Sequence, residues 1–256
     1  MSARFAKLGC SLIALAAVSL PTLSAHAQGV DEFGAYGTKR GEQSESSQDS
    51  AFELRFGRYV PEVDDSVSGS PFESTFGGDT RFVIGIEADW QLLRIPHLGS
   101  LGPGFGFSMT RFTEKARFTV GGGVSDSDTR LTIAPMYLVG VLRADVFMRD
   151  FHVPLVPYAK FGLGYALWWS TDGDKTPTVD GDVGRGRSYG LTYALGAMFL
   201  LDVLDEDDAK SADGMTGINN SYVFGEWFRP QLDGFGSNKV LNVGSSSWVI
   251  GVAVEM

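Results

Sequence analysis

The chain has 256 residues, of which 43% are hydrophobic, and this is enough for one domain of ordinary size. Its formal net charge of -10 argues against nucleic acid as a partner, because phosphates demand clustered Lys and Arg. The single cysteine excludes a disulfide scaffold and a cysteine-based zinc site. Glycine and aromatic residues are both abundant, which is typical of many short strands joined by tight turns.

Residues 1–27 have the pattern of a secretory signal peptide. A positively charged start precedes an apolar run over 8–20, and an Ala-His-Ala cleavage site ends the segment. The alternative is an uncleaved membrane anchor, but the apolar run is shorter than the ~20 residues of a spanning helix. Residues 28–50 are polar and rich in Ser, Gln, Glu and Gly, so we expect a flexible leader.

From residue 51 onward the sequence repeatedly alternates between apolar residues and polar or small ones, which is the period of a β-strand. The clearest apolar series is Phe82, Ile84, Ile86, Ala88, Trp90 and Leu92. At ~3.3 Å per residue and a tilt of ~40°, its length gives a band of ~25 Å, the height of the apolar belt of an outer-membrane barrel. Strands are predicted at 52–59, 81–92, 102–110, 129–146, 155–169, 188–202, 221–229 and 247–256. Residues 51–256 therefore predict an all-β fold, an eight-stranded antiparallel transmembrane β-barrel.

The predicted connections alternate in length, as they do in bacterial outer-membrane barrels. Long loops rich in Gly, Ser and Asp are expected at 60–80, 111–128, 170–187 and 230–246, and shorter turns at 93–101 and 147–154. This asymmetry places the long loops outside the cell and both termini in the periplasm. The exception is 203–220, whose acidic start predicts a short periplasmic helix.

Four stretches carry a resemblance to a known family. They are Phe52-Glu53-Leu54-Arg55-Phe56-Gly57, Pro154 to Trp169, Leu201-Asp202-Val203-Leu204-Asp205 and Phe224-Gly225-Glu226-Trp227. They resemble small outer-membrane β-barrel proteins found mainly in myxobacteria and related bacteria, over most of 51–256. The resemblance implies an outer-membrane barrel of uncharacterised role and carries over no catalytic residue. The chain departs from such barrels at Met256, where the assembly machinery usually reads an aromatic residue; Met is apolar and flexible enough to substitute.

Charged residues recur on the predicted inward faces of the strands. They are Glu53, Arg55, Arg81, Glu87, Asp89, Lys160, Glu226 and Glu255. An eight-stranded barrel is just wide enough for its interior to be filled by side chains, and buried charges must find partners. We therefore expect an ion-pair network that blocks the interior, and the alternative is the lining of a narrow porin-like channel or a proton path.

No histidine is predicted on the extracellular side of the barrel, so histidine-dependent catalysis is not expected there. His26 leaves with the signal peptide, while His97 and His152 fall in predicted periplasmic turns. We expect no enzyme activity and no cofactor, and paired acids would serve catalysis only if two carboxylates opened outward. Calcium candidates are Asp172, Asp174, Asp180 and Asp182, but Pro177 breaks the spacing of a calcium loop, so a solvated acidic loop is expected instead.

Aromatic residues near strand ends predict the two girdles of a membrane barrel rather than a sandwich core. The tryptophans concerned are Trp90, Trp168, Trp169, Trp227 and Trp248. The expected partners are outer-membrane lipid and, through the C-terminal strand, the barrel-assembly machinery; nucleic acid is not expected, and the chain is expected to be a monomer. We expect a non-enzymatic structural or surface-interaction protein with acidic outer loops. The alternatives are a narrow channel, a soluble exported barrel with its apolar face inward, and an outer-membrane enzyme.

Overall fold

A computed structural model describes residues 50–78, 80–117, 124–173, 176, 178–179, 182–203 and 218–256. The predicted signal peptide at 1–27 lies outside the described residues, as do nearly all of the leader and of the periplasmic helix predicted at 203–220. In the described part of the chain, no helix combines the length and the apolar character needed to span a membrane.

The described chain is built mainly of strands. They are β1 (Ser50–Tyr59), β2 (Arg81–Trp90), β3 (Leu93–Ile95), β4 (Gly99–Arg117), β5 (Val124–Arg143), β6 (Leu155–Asp172), β7 (Thr178–Val179), β8 (Asp182–Val183), β9 (Arg185–Leu200), β10 (Asn220–Gln231) and β11 (Ser247–Glu255). Helix α1 (Pro71–Phe76) and a 3-10 turn (Val63–Asp65) lie between β1 and β2, and α2 (Val146–Phe151) lies between β5 and β6.

The sheet closes on itself. β1 pairs antiparallel with β11 on one side and with β2 on the other, and β2 also pairs with β4. β3 continues the path of β2 along β4, so the two short strands share one position in the barrel. The remaining pairs run in sequence through β5, β6, β9, β10 and β11. This confirms the predicted all-β class and the closed eight-stranded antiparallel barrel.

Several predicted loops are structured differently. Strand pairing between β4 and β5 extends into the loop predicted at 111–128, because the alternation continues through the buried Phe112. The turn predicted at 93–101 contains β3, and His97 and Gly99 reverse the chain there with positive φ. The turn predicted at 147–154 contains α2, and β5 ends at Arg143 rather than at residue 146.

The two ends of the barrel differ. At one end, called the terminal end here, the main chains of Ser50 and Met256 exchange two hydrogen bonds of 3.1 and 2.9 Å. The other end, called the loop end, carries the connections between β1 and β2, β4 and β5, β6 and β9, and β10 and β11.

The outward face is an apolar belt to which every strand position contributes. One exposed residue from each is Phe52, Ile84, Phe105, Leu138, Leu163, Leu195, Val223 and Ile250. The inward face carries the buried charged residues together with small and aromatic side chains. The apolar faces therefore point away from the barrel axis, so the soluble alternative with an inward apolar face is wrong.

Candidate functional site: the charged barrel interior

A compact cluster of charged side chains fills the middle of the barrel. Its members, called the ion network here, are Glu53, Arg55, Glu87, Asp89, Arg143, Lys160 and Glu226, and all of them are buried. They come from β1, β2, β5, β6 and β10. The strand alternation that turns apolar neighbours outward turns these residues inward, so strands far apart in sequence meet on the barrel axis.

Arg55 links three carboxylates. Its Nη1 donates to Glu53 Oε2 and Glu87 Oε2, both at 2.6 Å, and its Nη2 donates to Glu226 Oε1. The guanidinium also lies over the ring of Phe228, with its carbon 5.2 Å from the ring centroid. A planar fork of donors suits this arrangement, because one guanidinium can bind carboxylates in several directions at once.

Lys160 binds the same three acids from the opposite side of the barrel. Its Nζ lies 2.9 Å from Glu53 Oε2, 2.7 Å from Glu87 Oε1 and 3.6 Å from Glu226 Oε2. Together with Arg55, it places two cations among three carboxylates. This pairing offsets the desolvation that would otherwise make each buried charge very costly.

Arg143 is a member that the sequence reasoning missed. Its Nη2 donates to Asp89 Oδ2 at 2.5 Å and lies 3.6 Å from Glu53 Oε1. The alternation of the sequence could have identified it, because Tyr137, Val139, Val141 and Arg143 occupy alternate positions on one face of β5. All four are buried in the structure. The predicted strand at 129–146 had indistinct faces because its residues 131–135 are buried on both sides.

Two tyrosines complete the hydrogen bonding of the ion network. Tyr137 donates its hydroxyl to Glu87 Oε2 at 2.5 Å, and Tyr158 donates to Glu226 Oε2 at 2.8 Å. The ring of Tyr158 also lies 5.0 Å from Lys160 Nζ. These rings close the space around the charges, and each hydroxyl adds a second interaction to a carboxylate oxygen that already faces a cation.

The ion network holds one more acid than base. Four carboxylates face three cations, which leaves a formal charge of 3 − 4 = −1. Asp89 is the least well compensated, since its Oδ1 has no hydrogen-bond partner within the described part of the chain. The backbone of Gly104 packs against it, and an added Cβ there would lie 2.2 Å from that oxygen.

Two of the predicted interior charges lie outside the ion network. Arg81 binds Glu114 at 2.8 Å at the loop end, where both side chains are partly exposed. Glu255 is buried at the terminal end, where it accepts hydrogen bonds from Gln91, Asn220 and Tyr222. The prediction of one network containing all eight residues is therefore wrong for these two, because they lie too close to the ends of their strands.

An apolar cap closes the loop end of the interior. Its buried side chains are Tyr59, Val63, Phe72, Phe76, Phe112, Leu131, Ile133, Ala166, Leu232 and Val243. Three come from the connection between β1 and β2, and two from the connection between β10 and β11. The loop predicted at 230–246 therefore reaches into the mouth of the barrel rather than lying entirely outside it. Tyr59 holds it by donating its hydroxyl to the carbonyl of Val243.

Two small voids in the interior are lined by described residues. One of about 30 Å³ lies between the ion network and the loop end, beside Arg55, Tyr137 and Phe228. Another of about 10 Å³ lies at the terminal end, beside Arg143, Tyr222 and Glu255. Each has room for about one or two water molecules.

The tryptophans divide between the two faces. Trp90 is exposed at the terminal end, and Trp169, Trp227 and Trp248 lie on the outer face at the loop end. Trp168 packs against the apolar cap inside the barrel, so its predicted place in a girdle is wrong. Adjacent strand residues point to opposite faces, and Trp168 and Trp169 cannot both face outward.

The other candidate residues either are already bound by cations or lie at separate places in the fold. The Glu53, Glu87 and Asp89 carboxylates lie within 4.8 Å of one another, but Arg55, Arg143 and Lys160 already bind them. Of the calcium candidates, Asp172 is exposed at the end of β6, Asp182 lies in β8, and Asp174 and Asp180 lie outside the described residues. His97 and His152 occupy separate turns at the terminal end.

Comparison with known proteins found similar folds only. No family model matches the chain, and no curated protein matches it. Yersinia pestis Ail, the attachment invasion locus protein, solved with the heparin analogue sucrose octasulfate, is 11% identical, covers 81% of this chain and 99% of its own, and has a TM-score of 0.38.

Two further solved structures show a similar degree of likeness. The N-terminal β-barrel domain of Pseudomonas aeruginosa OprF is 13% identical over 82% of this chain and 98% of its own, with a TM-score of 0.38. A major outer membrane protein of Thermus thermophilus is 12% identical over 81% of this chain and 99% of its own, with a TM-score of 0.42. The likeness is one of fold alone, and the closure of this barrel rests on its own strand pairing.

Proposed function

We propose that the chain is a non-enzymatic, integral outer-membrane protein with a blocked interior and a structural or surface-interaction role. The single observation that carries this proposal is the combination of an apolar belt outside with a paired ion network inside. A soluble domain has apolar side chains inside and polar ones outside, and this chain has the opposite arrangement. Such an arrangement is stable when the outer surface is surrounded by lipid.

The belt supports residence in a bilayer. Large apolar side chains remain strongly exposed around the barrel, for example Phe82 at 64%, Phe161 at 63% and Ile250 at 66%. Soluble monomers rarely expose a contiguous apolar surface larger than a few hundred Å². The closed ladder also satisfies the backbone hydrogen bonds internally, as a hydrocarbon environment requires. With the predicted signal peptide at 1–27, this supports the outer membrane as the location.

The interior supports a non-conducting barrel. Ions crossing it would have to pass both the apolar cap and the ion network, where Arg55 and Lys160 hold three carboxylates between them. Opening a path through the ion network would separate buried charges, which costs about 3–5 kcal/mol per broken pair. The alternative, a narrow porin-like channel, would require the ion network to rearrange around passing ions.

We propose that the functional surface lies at the loop end. The exposed acids there include Asp65 and Glu73, while Asp64 holds the start of α1 by accepting the N–H groups of Phe72 and Glu73 at 2.7 and 2.8 Å. Such ordering of an acidic loop suits contact with cationic groups outside the cell. The barrel-assembly machinery is the proposed partner of β11, with Met256 in place of an aromatic residue.

Two measurements test this proposal. The full chain, refolded in phosphatidylcholine vesicles, should stay in the membrane fraction after alkaline extraction and should show the heat-dependent gel shift of a barrel. In a planar bilayer, the inserted protein should give no steady current. Release by alkali would overturn membrane residence, whereas a steady ion-selective current would overturn the blocked interior and favour the channel.

A further inference from the structure

Basic side chains gather on the outer face of the barrel at the loop end. On β9, the outward series of Phe199, Leu195 and Tyr189 continues into Arg187 and Arg185. On β4 and β5 the same alternation turns Arg111 and Arg130 outward. We call these four arginines, Arg111, Arg130, Arg185 and Arg187, the arginine face.

Strand register brings the arginine face together. Arg185 pairs with Trp169 of β6, Trp169 pairs with Thr132 of β5, and Thr132 pairs with Arg111 of β4. These residues form one row across four neighbouring strands. Arg187 pairs with Leu167, so it lies two residues from this row toward the terminal end. Arg130 pairs with Thr171, so it lies two residues from the row toward the loop end.

Among the described residues, one of the four arginines of the arginine face forms a salt bridge. Arg185 and Arg187 are exposed and make no salt bridge within the described part of the chain. Arg111 donates its Nε to the Thr132 hydroxyl at 3.3 Å, and Arg130 binds Asp128 at 3.1 Å. A chain with a net charge of -10 thus places four guanidinium groups on this part of its outer surface, and within the described residues only Arg130 forms a salt bridge there.

The height of the arginine face matches the edge of a bilayer. From Phe199 to Arg187, the rise along β9 is ~30 Å at ~3.3 Å per residue and a strand tilt of ~40°. The guanidinium groups of Arg187 and Arg185 therefore leave the apolar belt where lipid headgroups begin. An arginine facing lipid is tolerated at that depth, whereas it is strongly unfavourable at the midplane.

We propose that the arginine face binds the phosphates of a bisphosphorylated glycolipid in the outer leaflet. The inference rests on the proposed residence in the outer membrane. Guanidinium groups bind phosphate oxygens in pairs. Arg111 and Arg130 lie on the adjacent strands β4 and β5, whereas Arg185 and Arg187 lie on β9, with β6 between the two pairs. At about 4.8 Å per strand spacing, β5 and β9 are about 10 Å apart. A headgroup with two phosphates can therefore bind more than one arginine at once, while a single phosphate cannot use the whole row.

The test is a competition between lipids around the folded full chain. The chain is refolded in phosphatidylcholine vesicles that contain equal small amounts of bisphosphorylated lipid A, its monophosphorylated form and phosphatidylglycerol. After mild detergent extraction and purification, the bound lipids are counted by mass spectrometry. We expect bisphosphorylated lipid A to be enriched over phosphatidylglycerol by about fivefold or more, the effect of one well-placed basic residue at a membrane surface.

Matched variants assign the enrichment to the arginine face. The double variant R185Q/R187Q should lose about fivefold or more of the enrichment. The variant R94Q/K239Q removes the same charge from exposed positions elsewhere and should retain it. The variant R185K/R187K keeps the charge but loses the paired donors, so it should fall between wild type and R185Q/R187Q.

The outcomes separate this inference from the proposed function. A chain without a gel shift that is also released by alkali contradicts membrane residence itself. An inserted barrel that binds the three anionic lipids equally, or whose two charge-removing variants behave alike, overturns the arginine face alone. If R185Q/R187Q does not fold, raised salt provides the second measurement: it should reduce the wild-type enrichment, and an enrichment unaffected by salt would overturn the proposal.

Discussion

Glu53 of β1 is the direct cross-strand neighbour of Glu87 on β2, so two buried carboxylates lie side by side in the barrel interior. Like charges in such a pair repel one another and destabilise a sheet. Lys160 and Arg55 each contact both carboxylates and convert the repulsion into a shared site for two cations. The stability of the ion network therefore depends on all four residues together.

Loss of Lys160 should be strongly destabilising. In Lys160→Met, the net charge of the ion network changes from −1 to −2 and three carboxylates lose one of their cations. We expect the free energy of unfolding in vesicles, measured by urea titration, to fall by about 3–5 kcal/mol. The control Lys239→Met, at an exposed position, should change it by less than about 0.5 kcal/mol. Equal stability of the two variants would contradict the ion network.

Neutralising two acids of the same network should have unequal effects. Glu53 contacts Arg55, Lys160 and Arg143. Asp89 binds Arg143, and its second oxygen has no hydrogen-bond partner among the described residues. Glu53→Gln should therefore cost about 3 kcal/mol or more, and Asp89→Asn about 1 kcal/mol or less, because it removes the excess charge. Urea unfolding of the two variants checks the order, and the reverse order would show that the compensation is distributed differently.

A charge in the apolar belt should report its depth in the membrane. Leu163 lies near the middle of the outward face of β6, and Val153 lies at the terminal end. Leu163→Arg should reduce the unfolding free energy in vesicles by about 2–4 kcal/mol, and Val153→Arg by about 1 kcal/mol or less. In a barrel surrounded by water both substitutions would be nearly neutral, which would count against the lipid-facing belt.

The apolar cap and the ion network should close the interior independently. Leu232 is fully buried in the apolar cap, and Phe235, three residues later, is 61% exposed. Leu232→Ala should cost about 2–4 kcal/mol through the cavity it leaves, and Phe235→Ala should cost far less. Neither variant should conduct in a planar bilayer, because the ion network remains closed. A steady current through Leu232→Ala would assign the closure to the apolar cap alone.

The positions of the strands could be read from the sequence, because alternation is a local property. Every predicted strand overlaps an observed one, and the inward placement of Glu53 and Arg55 follows from their exposed neighbours Phe52 and Leu54. Alternation becomes less informative where the outer face is also covered. Arg143 was not predicted as an interior charge because the earlier part of its strand, residues 131–135, is buried on both faces.

Contacts between distant loops were not predictable in the same way. Leu232 and Val243 look like ordinary loop residues, and their burial depends on Tyr59 and Phe112 from other strands. The grouping of charges depends on register as well as on the side of the strand. Arg81 shares its inward side with Glu87, but it pairs with Tyr59 at the far end of β1 and meets Glu114 instead.

The pairing of β1 with β11 has a consequence for the order of assembly. Glu53 and Arg55 lie near the start of the described chain, and Glu226 lies near its end. The contact between Arg55 and Glu226 therefore joins residues that are 171 positions apart in the sequence. Contacts of such sequence separation form late and slowly. Until the first and last strands meet, these charges lack part of their compensation. Full compensation of the interior charges therefore requires that the first and last strands of the barrel have been brought together.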